Sequence, residues 1–175
     1  ADLNDLLYSL PYTGGTHVVS FGSGGALTVA LSEYAIVDGI GPDFTVFENP
    51  VLSTDGTLFA ERAQVSVSED GVTFVDFPCD ADDTDDEVYA GCAGVHLVYA
   101  NENPLDPTAS GGDVFDLADL PTPVARVNYI RITDLYTCEP GDPTYALYYG
   151  QPVCAETGKQ GFDLDAVAIL NGAND

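Results

Sequence analysis

The chain has 175 residues, enough for one domain that buries a core of its own. Four Lys and Arg against 29 Asp and Glu leave a formal net charge of −25, which repels nucleic acid and anionic membrane surfaces and favours cations or basic partners. A hydrophobic content of 45%, with eight Phe and ten Tyr, argues against a disordered chain, because that much apolar surface offsets the conformational entropy lost on folding.

The sequence starts at Ala1 and contains no Met, the pattern of a mature exported product whose leader has been removed. An extracellular or cell-surface location is therefore expected. No run approaches the roughly 18 apolar residues of a membrane-crossing helix, so membrane insertion is not expected.

Residues 1–12 form an N-terminal extension with Leu3, Leu6, Leu7 and Leu10 as apolar anchors, suited to docking on a neighbouring molecule or to covering the domain's own edge. Period-two alternation then predicts strands at His17-Val-Val-Ser-Phe21, Ala26-Leu-Thr-Val-Ala-Leu31, Phe44-Thr-Val-Phe47 and Ala63-Gln-Val-Ser-Val-Ser68. In the last, Val65 and Val67 share one face while Gln64, Ser66 and Ser68 share the other. Glu69-Asp70-Gly71 breaks the pattern before Val72-Thr-Phe-Val-Asp-Phe77 resumes it, a tight hairpin on an Asp-Gly turn. Residues 78–122 are rich in turn formers and read as a loop excursion, with a short run at Val114 to Leu120 that can make helical turns. Strands follow at 125–133 and 162–170, separated by a second excursion over 136–160. Many short strands divided by turns predict an all-β sandwich or barrel in a single domain, 1–175.

The cysteines pair best as neighbours, Cys79 with Cys92 and Cys138 with Cys154, each bridge tying down one of the excursions. Zinc is disfavoured, since no C-x-x-C spacing occurs and His17 and His96 stand apart.

The hairpin Val65-Ser-Val-Ser-Glu-Asp-Gly-Val-Thr-Phe74 resembles that of galactose-binding-like jelly rolls, the group of discoidin domains and many carbohydrate-binding modules, and Val127-Asn-Tyr-Ile-Arg-Ile132 is similar to their next long strand. Gly161-Phe-Asp-Leu-Asp-Ala-Val-Ala-Ile169 resembles the last strand of calcium-containing modules, in which a carboxylate supports a structural calcium. A closer resemblance is to bacterial, myxobacterial-type exported cell-surface protein domains. It rests on Gly41-Pro-Asp-Phe-Thr-Val-Phe-Glu-Asn49, Gly91-Cys-Ala-Gly-Val95, Gly111-Gly-Asp-Val-Phe-Asp-Leu-Ala-Asp119 and Gly161-Phe-Asp-Leu-Asp165. These resemblances imply a jelly-roll β-sandwich with long disulfide-tied loops and an exported surface domain with no established reaction.

Asp163 and Asp165 lie two apart on a predicted strand, so both carboxylates project from one face and invite a hard cation. Asp43, Glu48 and Asp113 sit at strand ends and glycine turns from which they can join them. Asp43, Glu48, Asp113, Asp163 and Asp165 are therefore the candidate calcium ligands, against the alternative that an acidic surface is simply solvated. The acidic run from Asp80 to Glu87 lacks the sixth-position glycine of an EF-hand loop and reads as solvated.

Catalytic patterns are weak. Phe21-Gly-Ser-Gly-Gly25 lacks the first glycine of a nucleophile elbow and reads as a β-turn. His17 and His96 read as structural or surface residues. Tyr136, Tyr145, Tyr148 and Tyr149 cluster in the second excursion, where each offers an apolar face and a hydroxyl to a glycan or surface polymer, or packs the loop on the sandwich.

The expectation is a non-catalytic, calcium-binding module of the cell surface or extracellular matrix that binds a glycan. The alternatives are a self-associating subunit of an extracellular assembly and, third, a secreted hydrolase.

Overall fold

The computed structural model describes residues 18–22, 24–48, 61–80, 91–99, 103–135 and 161–174, together with the backbone of short strands at 51–52, 58–59, 145–148 and 151–154. In chain order the strands are β1 Val19–Ser20, β2 Ala26–Ala30, β3 Tyr34–Ile36, β4 Phe44–Phe47, β5 Val51–Leu52, β6 Leu58–Phe59, β7 Ala63–Ser68, β8 Val75–Asp76 and β9 Cys92–Ala93. After these come β10 Asp113–Phe115, β11 Tyr129–Asp134, β12 Tyr145–Tyr148, β13 Gln151–Cys154, β14 Asp163–Leu164, β15 Ala166–Ile169 and β16 Gly172–Asn174. One helical turn, α1 at Pro107–Ser110, precedes β10, and a 3-10 turn at Leu117–Asp119 follows it.

The fold is an all-β sandwich. One sheet runs β2-β11-β7-β8, with β9 also on β7; the other runs β10-β4-β15. Every pairing among the described strands is antiparallel. Val29, Val65, Val67, Ile130 and Ile132 from the first sheet share one buried cluster with Phe44, Val46, Phe115 and Val167 from the second. Phe77 joins the layers: its N–H donates to Val65 O of the first sheet, and its ring lies 5.9 Å from Phe44 and 5.0 Å from Phe115 of the second.

The alternation of β11 appears as expected, with Ile130 and Ile132 buried and Arg131 and Thr133 partly exposed. The outer face of β7 departs from expectation, because Ser66 and Ser68 are buried as well. Arg131, paired with Ser66 across the strands, lies 4.1 Å over the Phe74 ring, and Ser66 Oγ donates to Asp76 Oδ1 at 2.6 Å.

The β7–β8 hairpin forms, pairing Ser66 with Asp76 and Val67 with Val75, but the expected two-residue turn is a longer connection over 69–74. Asp70 Oδ1 accepts the N–H groups of Val72 and Thr73. That capping ties up the chain after Gly71 and delays the strand to Val75.

The segment 78–122, expected as loop, contributes β9, α1 and the edge strand β10 of the second sheet. Cys79–Cys92 is a disulfide, as the spacing suggested. In the second excursion the backbone of β12 and β13 forms an antiparallel hairpin. The second bridge, Cys138 with Cys154, and the side chains of Tyr136, Tyr145, Tyr148 and Tyr149 lie outside the described residues, as does the extension at 1–12. No described helix is long and apolar enough to cross a membrane.

Candidate functional site

Asp43 stands at the entrance to β4, fully buried, with hydrogen bonds to three other parts of the chain. Its N–H donates to Phe115 O at 2.7 Å, and its carbonyl accepts from the N–H groups of Leu170 and Asn171. Carboxylate Oδ1 accepts from Gly39 N at 2.8 Å and from Asn171 Nδ2 at 2.9 Å, while Oδ2 accepts from Leu117 N at 2.8 Å. A buried carboxylate is tolerated because backbone and amide donors replace the water it gives up.

The loop that presents this residue reads Asp38-Gly39-Ile40-Gly41-Pro42-Asp43. Gly39 is required by close approach, since a Cβ there would collide with the side-chain amide of Asn171. Asn171 in turn donates to Pro42 O at 3.1 Å.

Asp116 arrives by strand register. β10 pairs with β4 so that Phe115 faces Phe44, their rings stacked with centroids 5.0 Å apart, and the next residue along the chain, Asp116, is thereby brought beside Asp43. Asp116 also caps the 3-10 turn, its Oδ1 accepting from Ala118 N at 2.9 Å.

Carboxylate oxygens of Asp38, Asp43 and Asp116 come within 4.8 Å of one another. Asp38 is exposed, Asp116 half-buried and Asp43 buried, so the group opens to water on the Asp38 side. The donor set is oxygen only. Three carboxylates offering oxygen alone could hold a hard metal ion.

Of the five carboxylates predicted from sequence, only Asp43 belongs to this group. Glu48 and Asp165 are both buried at the other end of β4, opposite each other by the β4–β15 register that pairs Phe47 with Ala166. Five residues of strand separate Glu48 from Asp43, about 16 Å at the usual rise. Asp163 does not sit with Asp165 on an unbroken strand: β14 ends at Leu164 and β15 begins at Ala166, with Asp165 at the break.

Asp163 acts instead on Glu61. Burial pushes the Glu61 carboxyl up to about 7; the N–H of Gly161, donating at 2.8 Å, opposes the rise, and the charges of Asp163 and Asp134 add to it.

Asp113 is a receptor for main-chain donors. Its oxygens accept from Gly94 N at 2.7 Å, Val95 N at 3.2 Å and His96 N at 3.0 Å, and His96 Nδ1 lies 2.8 Å from Oδ1. Gly94, at φ 82°, permits the bend that turns these amides inward. The hydrogen bond to Asp113 raises the pKa of His96 above its ordinary 6.5, more than burial lowers it. His96 is thus tied to Asp113 through both its main chain and its ring, and Asp113 accepts the N–H groups of three consecutive residues.

The turn reading of Gly22 to Gly25 holds. Gly25 N donates to Gly22 O at 3.1 Å, and Gly24 N donates to Asp134 Oδ2 at 2.7 Å.

Sequence reasoning missed Asp38 and Asp116. Asp38 carried a legible signal, an Asp-Gly-x-Gly-x-Asp spacing that ends on the residue already chosen. Asp116 carried none, because its position depends on a long-range register.

Comparison of the chain with protein-family models, with curated proteins and with solved structures finds no match.

Proposed function

We propose that this chain is a calcium-stabilised, non-catalytic binding module of the cell surface or extracellular matrix, built on a jelly-roll plan like the modules it resembles. The observation that carries the reading is the convergence of Asp38, Asp43 and Asp116 at one end of the second sheet. Three anionic groups at that spacing repel one another, and a divalent cation converts the repulsion into a cross-link. The cross-link joins the β3–β4 loop to the turn after β10. Through Asp43 it also reaches the β15–β16 connection, whose Asn171 holds the same carboxylate. Calcium here organises loops and performs no reaction.

A glycan or other neutral surface polymer is the external ligand this reading favours, since a chain of net charge −25 repels acidic polymers. Calorimetric titration of chelator-stripped protein tests the metal, with exothermic or endothermic uptake of calcium expected and a flat titration contradicting it. A glycan array developed with calcium present tests the ligand, and silence across neutral plant, bacterial and marine glycans would count against that part of the proposal.

A further inference from the structure

The β2 edge of the first sheet carries no charge. β2 pairs with β11 alone among the described strands, so its other side is an edge. Edge strands invite pairing with another chain, and proteins blunt them with Lys, Pro, inward charges or bulges. β2, Ala-Leu-Thr-Val-Ala, has neither charge nor proline. It lies inside residues 6–32, the longest stretch of the sequence without Asp, Glu, Lys or Arg, although charged residues make up 19% of the chain. At the other ends of the two main sheets, β8 contains Asp76, β10 begins with Asp113 and is followed by Asp116, and β15 follows Asp165; β1, β3, β9 and β16 are also uncharged but are only two or three residues long, against five in β2.

The charge pattern selects the partner. A basic partner would be drawn to the acidic surface and gains nothing from a neutral edge. Two copies of a chain at −25 repel everywhere except where their charges are absent. We propose that β2 is the face on which two copies of this chain associate, Ala26–Ala30 pairing with itself antiparallel across a two-fold axis.

A five-residue strand paired with itself about its centre sets Thr28 against Thr28 of the second copy and Ala26 against Ala30. Ala26, Thr28 and Ala30 are exposed, while Val29 is buried and Leu27 partly so. The exposed faces therefore meet through small neutral side chains with no like charges opposed, and the core-facing sides keep Leu27 and Val29 in one apolar row. Pairing extends the first sheet across both copies. The inference stands independently of the metal site, which lies on the other sheet.

Sedimentation velocity on the full chain, over a range of concentrations at ionic strengths of about 0.01 M and about 1 M, tests it. The expected result is a monomer–dimer equilibrium that shifts toward dimer as salt screens the net charge. Thr28→Asp opposes two carboxylates at the axis and should weaken the dimer about tenfold or more. Val72→Asp adds the same charge on the exposed 69–74 connection and should leave the dimer intact. Should Thr28→Asp fail to fold, the double variant Ala26→Asp with Ala30→Asp opposes carboxylates at both exposed ends of the paired strands and makes the same test. A monomer under all conditions, as when residues 1–12 cover this edge within one copy, would overturn the proposal. So would a dimer indifferent to both β2 variants.

Discussion

Asp43 and Asp38 do different work within one site, and substitution separates the two. Asp43→Ala removes the acceptor for Gly39 N, Leu117 N and Asn171 Nδ2 in a buried or partly buried setting and should destabilise the metal-free protein by at least about 3 kcal/mol, at roughly 1–3 kcal/mol for each donor left unpaired. Asp38→Asn, on an exposed residue, should change metal-free stability by less than about 0.5 kcal/mol while abolishing calcium uptake. Chemical denaturation of both variants without calcium checks the ranking, and equal losses would contradict it. His96 supplies a pH test. Its folded pKa is raised, so the stability from its bond to Asp113 is fully present below pH 6.5 and is lost as pH climbs through the folded value. Glu61, raised from 4.5 to about 7, loses stability with rising pH across that window in the same sense, so the wild-type curve alone does not isolate the histidine. His96→Gln should flatten the part of the melting profile above pH 6.5 and leave the part governed by Glu61. A histidine titration by NMR giving a value at or below 6.5 would contradict the assignment.

At the level of elements, legibility in the sequence followed the source of each signal. β7 and β11 were legible because Val65, Val67, Ile130 and Ile132 repeat every second residue against a buried face. β10 was not, since Asp113-Val114-Phe115 follows two glycines and its one branched residue points to solvent, so nothing local marked it as the partner of β4. Missing β10 as a strand meant missing Asp116 as a neighbour of Asp43. The strand break at Asp165, between β14 and β15, was equally invisible. The disulfide was legible from spacing alone. Cys79 and Cys92 hold β9 against the chain leaving the β7–β8 hairpin, and on the loop-closure estimate the bridge contributes about 3 kcal/mol. Replacing both cysteines by serine should lower unfolding free energy by about that amount. A change below about 0.5 kcal/mol would show that β9 is held by its pairing with β7 alone.

For the whole molecule, the excess of carboxylates divides into unlike parts. Some are structural acceptors for backbone N–H groups, as at Asp113 and Asp70; others are buried within the sandwich, as at Glu48, Asp134 and Asp165. Three converge where a cation can bind, and residues 6–32 carry none. A net charge of −25 opposes compaction, so a bound divalent cation acts on global stability as well as on local loop geometry. The most direct test is the melting temperature of chelator-stripped protein with and without calcium, measured for the wild type and for Asp38→Asn. At calcium about a hundredfold above its dissociation constant, the wild type should rise by about 5–10 °C, and Asp38→Asn, with the same metal-free melting temperature, should not rise. No rise in the wild type, or an equal rise in the variant, would contradict a calcium site at Asp38, Asp43 and Asp116.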